Sequence, residues 1–157
     1  MFFNEEIISQ LQSRLAPLTK KVKIVYFTEE LECGYCKETR QLLTELSQVS
    51  DKIELEVKNF VLDKEDVEKY KVDKVPAAVL LDENGTDYGI KFYGIPSGYE
   101  FSSLLETITM LGTGETGLSE GTISKLKEID SPVHLQVFVT PTCPNGPPAV
   151  VTAHRFA

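Results

Sequence analysis

Residues 22–36 read VKIVYFTEELECGYC. Val22 to Thr28 is rich in β-branched and aromatic residues with no polar alternation, the composition of a strand buried on both faces. An acidic loop, Glu29 to Glu32, leads into Cys33-Gly34-Tyr35-Cys36. Behind it Leu42, Leu43, Leu46 and Val49 repeat at helical spacing, so the sequence predicts a helix that starts near Cys33.

The rest of the chain extends this pattern on both sides. Upstream, Asn4 followed by Glu5 and Glu6 is a helix N-cap with acids in the first turn, and Pro17 ends that helix. Downstream, Ile53, Leu55 and Val57 alternate with charged residues as a half-buried strand, and Lys64 to Lys71 forms a short charged helix. Ala77 to Leu81 is a second fully buried strand, which turns through Glu83-Asn84-Gly85-Thr86 into Tyr88 to Tyr93. Phe101, Leu104, Leu105, Ile108 and Leu111 line one more helix. The order is α-β-α-β-α-β-β-α, an α/β layer with mixed strand directions.

Three glycines in the six residues from Gly112 to Gly117 then mark a linker. After it the motif begins again: a helix over Ser119 to Ile129, a strand over Val133 to Val139, Cys143, and a helix carrying Val150, Val151 and His154. Strand and cysteine recur at nearly one spacing in the two stretches, which reads as an internal duplication whose second copy stops after its first helix. The expectation is a longer chain of which this is part.

The 157 residues carry 16 basic and 24 acidic side chains, a formal charge of −8, and 41% apolar residues. This balance belongs to a soluble globular protein. With the basic residues scattered among acids, nucleic acid and anionic membranes are not expected partners. No apolar run is long enough to cross a membrane, and the start has no secretory pattern. In such a chain a Cys-x-x-Cys pair points to redox chemistry or metal rather than to a disulfide scaffold. Structural zinc needs four ligands, commonly two such pairs. This chain has one pair and two distant histidines, so redox chemistry leads over zinc and over two inert cysteines.

The chemistry follows from the spacing. Two cysteines three positions apart at a helix start are within disulfide reach. The first lies where free backbone N–H groups and the helix dipole favour a thiolate, and the second, a turn deeper, suits the resolving step. Gly34 and Tyr35 supply no positive charge, and Glu29, Glu30 and Glu32 oppose ionisation. Val75-Pro76 stands directly before a buried strand. A trans proline at a strand start is the common case; the upstream Cys-x-x-Cys favours a cis bond that offers Val75 to an extended peptide. Neither His134 nor His154 receives a role. Glu54 and Glu56 lie on a strand, and alternation turns them to solvent.

Together these elements resemble the thioredoxin fold, a central mixed sheet flanked by helices, with an added N-terminal helix. More closely, the chain resembles the glutaredoxin-like protein disulfide oxidoreductases of thermophilic archaea and bacteria, which fuse two thioredoxin units. The matching stretches are Phe92 to Phe101 (FYGIPSGYEF) and Val137 to Pro144 (VFVTPTCP), with Ala149, Ala153, His154 and Phe156 in place. The resemblance implies one thioredoxin-like unit over residues 1–112, a linker over 113–118 and the start of a second, incomplete unit over 119–157. It also implies cytoplasmic thiol–disulfide exchange on protein substrates, with Cys33 as nucleophile, Cys36 as resolving thiol, and Gly34, Tyr35, Val75 and Pro76 lining the substrate site. The dithiol is itself the redox group, with no bound cofactor or metal required, and a flavoprotein thioredoxin reductase is the implied reductant. A family member has a second Cys-x-x-Cys where this chain has Cys143-Pro144-Asn145-Gly146, so Cys143 is read as a vestigial thiol without catalytic activity. The competing readings are a non-catalytic thioredoxin-like binding module and a glutathione-linked glutaredoxin, the latter disfavoured by the acidic loop before Cys33.

The expected reduction potential of the Cys33/Cys36 pair is about −270 to −180 mV, read by equilibration against glutathione; a value above about −150 mV contradicts this balance of charges.

Overall fold

Asn4 starts the first helix as expected: its side-chain oxygen accepts the Ile7 N–H at 2.9 Å, and the helix ends at Leu15, two residues before Pro17. The computed structural model describes residues 1–157. In chain order the elements are α1 (Glu5–Leu15), β1 (Val22–Thr28), α2 (Cys36–Val49), β2 (Ile53–Asn59), α3 (Lys64–Lys69), β3 (Ala77–Leu81), β4 (Asp87–Tyr93), α4 (Glu100–Thr113), α5 (Glu120–Leu126) and α6 (Gly146–Phe156).

The four strands form one mixed sheet in the order β2-β1-β3-β4, with β1 parallel to β2 and antiparallel to β3, and β3 antiparallel to β4. The two strands read as fully buried, β1 and β3, are the central pair. Val22, Ile24 and Tyr26 of β1 face a large core with Leu11 and Leu15 of α1, Leu42, Leu43 and Leu46 of α2, and Leu104, Leu105 and Ile108 of α4. Val25 and Phe27 face the opposite way, onto a smaller core with Tyr70, Val72 and Val79. Burial on both sides of β1 thus follows from period-two alternation with apolar residues in both phases. Asp82 holds the β3–β4 turn, its carboxylate accepting the N–H groups of Asn84 at 3.0 Å and Thr86 at 2.9 Å.

Two expectations need correction. The helix behind the cysteines begins at Cys36, not Cys33, with Tyr35 as its N-cap. Val133 to Val139 forms no strand. Phe138 is 90% exposed and Val133 63% exposed in this stretch, which has no neighbouring strand to complete a ladder. Apolar β-branched composition supplies the propensity for a strand, and pairing supplies the strand itself.

The segment after it does join the core. Helix α6 packs along α4, and Val150 belongs to the same cluster as the strands and α1, α2 and α4. His154 of α6 packs its ring edge-on against Phe92, with centroids 4.9 Å apart, and its Nδ1 lies 2.9 Å from Thr107 Oγ1. Burial lowers its pKa from the ordinary 6.5 to about 4. Where the chain enters α4, Gly98 has φ +60°, and a Cβ there would lie 2.4 Å from the Pro141 carbonyl oxygen. That same oxygen accepts the Tyr99 N–H at 2.9 Å.

Gly98→Ala should therefore cost roughly 1–3 kcal/mol for the left-handed backbone, and more for the collision, read as a lower urea midpoint. The unfolded chain protonates His154 at a higher pH than the folded chain does. Stability should accordingly fall as the pH drops from about 6.5 to about 4, and His154→Asn should remove that part of the slope in urea midpoints against pH.

Candidate active site

Cys33 and Cys36 form a disulfide with Cα atoms 5.5 Å apart. Its position follows from the strand and helix on either side. β1 carries the chain through the core to Thr28, residues 29–35 cross the end of the sheet, and Cys36 opens α2. Cys36 is 2% exposed, whereas Cys33 is half-buried in the turn before the helix. The buried phenol of Tyr26 in β1 donates to the Cys36 carbonyl at 2.7 Å, tying the helix start to the central strand. No side chain caps this end of α2, so its first N–H groups stay available at the turn that carries Cys33.

Val75-Pro76 is a cis peptide. β3 begins at Ala77 opposite Phe27, so this bond and the segment leading to Cys33 leave the sheet at the same end. β4 ends there too: Tyr93 pairs with Ala77, and the Gly94 N–H donates to the Pro76 carbonyl at 2.9 Å. Pro76 is buried and Val75 half-buried. The side chains beside them are open, with Tyr35 61% and Leu31 95% exposed and the Lys74 ammonium 4.2 Å above the Tyr93 ring. The topology thus gathers Cys33, Gly34, Tyr35, Cys36, Val75 and Pro76 at one edge of the molecule.

Glu54 and Glu56 lie on the edge strand β2 and are ion-paired, Glu54 with Lys21 at 2.8 Å and Glu56 with Lys23 and Lys58. Hydrogen bonds from Lys23 and then Lys58 hold the Glu56 carboxyl down at about 2.

The sequence reading missed Glu100. It opens α4 and is 4% exposed; one carboxylate oxygen accepts from Ser103 Oγ at 3.0 Å, and the other, Oε1, is buried without a hydrogen-bond partner. Burial pushes its pKa up. Oε1 points at Gly146, where a Cβ would come within 2.6 Å of it. The available signal was an acid directly before the apolar face that starts at Phe101. Cys143 lies three residues before Gly146, half-buried and free.

Comparison with known proteins agrees with this architecture. A protein disulfide oxidoreductase from Aeropyrum pernix K1 superimposes with a TM-score of 0.89 at 29% identity, over 98% of this chain and 67% of that one. The alkylhydroperoxide reductase component AhpF of Enterococcus faecalis superimposes with a TM-score of 0.86 at 31% identity, over 99% of this chain and 74% of the solved one. The corresponding component of the alkyl hydroperoxide reductase of Staphylococcus aureus is 27% identical over 147 residues, 94% of this chain and 26% of the relative. The chain thus spans about a quarter of the length of the curated relatives it matches. The thioredoxin-like domain profile matches residues 10–109, the stretch that holds the whole sheet, the cysteine pair and the cis-proline, and by that match the chain belongs to the thioredoxin-like domain family.

Proposed function

We propose that this chain is a thiol–disulfide oxidoreductase that exchanges disulfides with protein substrates through Cys33 and Cys36. The observation that carries this reading is the asymmetry of the pair: one cysteine is reachable in the turn before α2, and the other is buried as the first helical residue. In the reduced pair, the uncapped helix end favours a thiolate at Cys33. That thiolate attacks a substrate disulfide and forms a mixed disulfide, and the leaving substrate sulfur departs as a thiolate that takes a proton from water. Cys36 then attacks Cys33, which closes the ring and releases the second substrate thiol.

Exposed Leu31 and Tyr35 beside Cys33 favour an extended polypeptide as substrate, and the backbone at Val75 offers it an edge for strand-like pairing. Glu29, Glu30 and Glu32 at the entrance disfavour an acidic tripeptide disulfide such as oxidised glutathione at this dithiol. A flavoprotein thioredoxin reductase is the proposed electron donor. The matches to components of alkyl hydroperoxide reductases support a place for the domain in relaying electrons within a larger redox enzyme. Residues 119–157 are proposed to open a second thioredoxin-like unit, a reading supported by the repeated order of helix, apolar segment, cysteine and helix.

In an insulin-reduction assay with dithiothreitol, the wild-type chain should accelerate turbidity and Cys33→Ser should fall to the dithiothreitol background. Cys36→Ser should accumulate a covalent mixed disulfide with insulin, visible by intact mass. A wild-type chain no faster than background favours the non-catalytic binding module instead.

A further inference from the structure

We propose that two buried hydroxyls, those of Tyr26 and Thr39, are positioning groups for the Cys33 thiolate, which they reach through the two peptide units that open α2. The role presupposes the dithiol exchange proposed above and names the groups that tune its nucleophile. Each hydroxyl donates to a backbone carbonyl rather than to a sulfur.

Tyr26 stands in the central strand β1, wholly buried, and its phenol donates to the Cys36 carbonyl at 2.7 Å. Thr39, 1% exposed in the first turn of α2, donates its hydroxyl to the Tyr35 carbonyl at 2.7 Å, and the Thr39 N–H reaches the same oxygen at 3.0 Å. The two acceptors belong to consecutive peptide units. The Tyr35 carbonyl shares its amide with the Cys36 N–H, and the Cys36 carbonyl shares its amide with the Lys37 N–H. Both N–H groups lie at the open end of α2, where no side chain caps the helix and neither has an acceptor.

A hydrogen bond received by a carbonyl draws electron density along its amide and makes the N–H at the other end a stronger donor, by about 10–30% per bond. Burial pushes the Tyr26 phenol up, so it stays a protonated donor. A threonine that bonds back to the carbonyl four residues earlier is common in helices. Here it acts on the peptide next to the one that a strand residue reaches, so two successive amides at the Cys33 turn are polarised in the same sense. The disulfide carries no charge for these amides to meet, whereas the reduced pair does once Cys33 ionises. The two hydroxyls therefore favour the reduced, ionised state over the disulfide, against the acids Glu29, Glu30 and Glu32 of the preceding loop.

The test compares the full chain with Tyr26→Phe, Thr39→Val and Thr39→Ser. Each is reduced and alkylated with iodoacetamide over a range of pH, and the rate at Cys33 is read by peptide mapping. Phe and Val keep the shape and remove the hydroxyl, and Ser keeps the hydroxyl. Glu29, Glu30, Glu32 and Tyr35 around the thiol are the same in every variant. So are Lys37, Glu38 and Arg40 of α2, and Asp73, Lys74 and Tyr93 at the ends of the neighbouring strands. Tyr26→Phe and Thr39→Val should each lower the thiolate fraction below the midpoint about twofold to threefold, which moves the pH midpoint of alkylation upward. Above that midpoint, the equilibrium with glutathione should shift toward the disulfide by the same factor. Thr39→Ser should match the wild type. A merely structural role lowers the urea midpoint and leaves the alkylation profile in place. An unmoved profile in either Tyr26→Phe or Thr39→Val, or a shift in Thr39→Ser equal to that in Thr39→Val, would overturn the proposal; the Thr39 pair decides it should Tyr26→Phe not fold. No protein substrate enters these readouts. A chain inert toward insulin whose profile still moves fails as the proposed oxidoreductase and keeps the hydroxyl effect, whereas an insulin-active chain with unmoved profiles loses the hydroxyl effect alone.

Discussion

The hydroxyl of Tyr26, wholly buried in the central strand, donates to the carbonyl of Cys36 at 2.7 Å. That bond joins a central strand of the sheet to the first residue of the helix that carries Cys36. Removing the phenol would leave a buried carbonyl with one partner fewer. More generally, β1 is anchored by β2 on one side, β3 on the other and an apolar core on each face, so the direction in which it delivers residue 33 is fixed by four independent surfaces. A disulfide exchange site needs this rigidity, because two sulfurs must close a ring again and again with little rearrangement.

The arrangement sets the two cysteines in different surroundings, one half-buried in a turn and one buried at a helix start. In the proposed exchange, burial of Cys36 shields it from substrates, while the half-exposed Cys33 meets them first. The three ends of β1, β3 and β4 arrive at the same edge, so residues distant in sequence line one site, and the Lys74–Tyr93 contact gives that edge a cationic and aromatic rim.

Much of this was readable from the residues. The apolar runs Val22 to Thr28 and Ala77 to Leu81 marked fully buried strands, and the alternation from Ile53 to Val57 marked a half-buried one. Asn4 and Pro17 bounded α1 because capping and proline act locally. What escaped was set by distant partners. Val133 to Val139 has every local preference of a strand and no strand beside it. The helix after the cysteines starts at Cys36 because a turn through Gly34 and Tyr35 precedes it, a difference of three residues that periodicity of the leucines does not resolve. Glu100 was hidden for a similar reason: its Oε1 lies against Gly146, a residue far along the chain whose approach no local pattern announces.

Val150 has a consequence for how the molecule would come apart. It sits on the last helix yet inside the core shared by the sheet and its helices, so the stretch after the glycine-rich connection is not an independent appendage. Cleaving the peptide chain between Gly114 and Gly117 would leave two fragments still clasped to one another, since parting them would expose Val150 and the face of α4 to water. The covalent boundary of the connection and the cooperative boundary of the folded body therefore fall in different places.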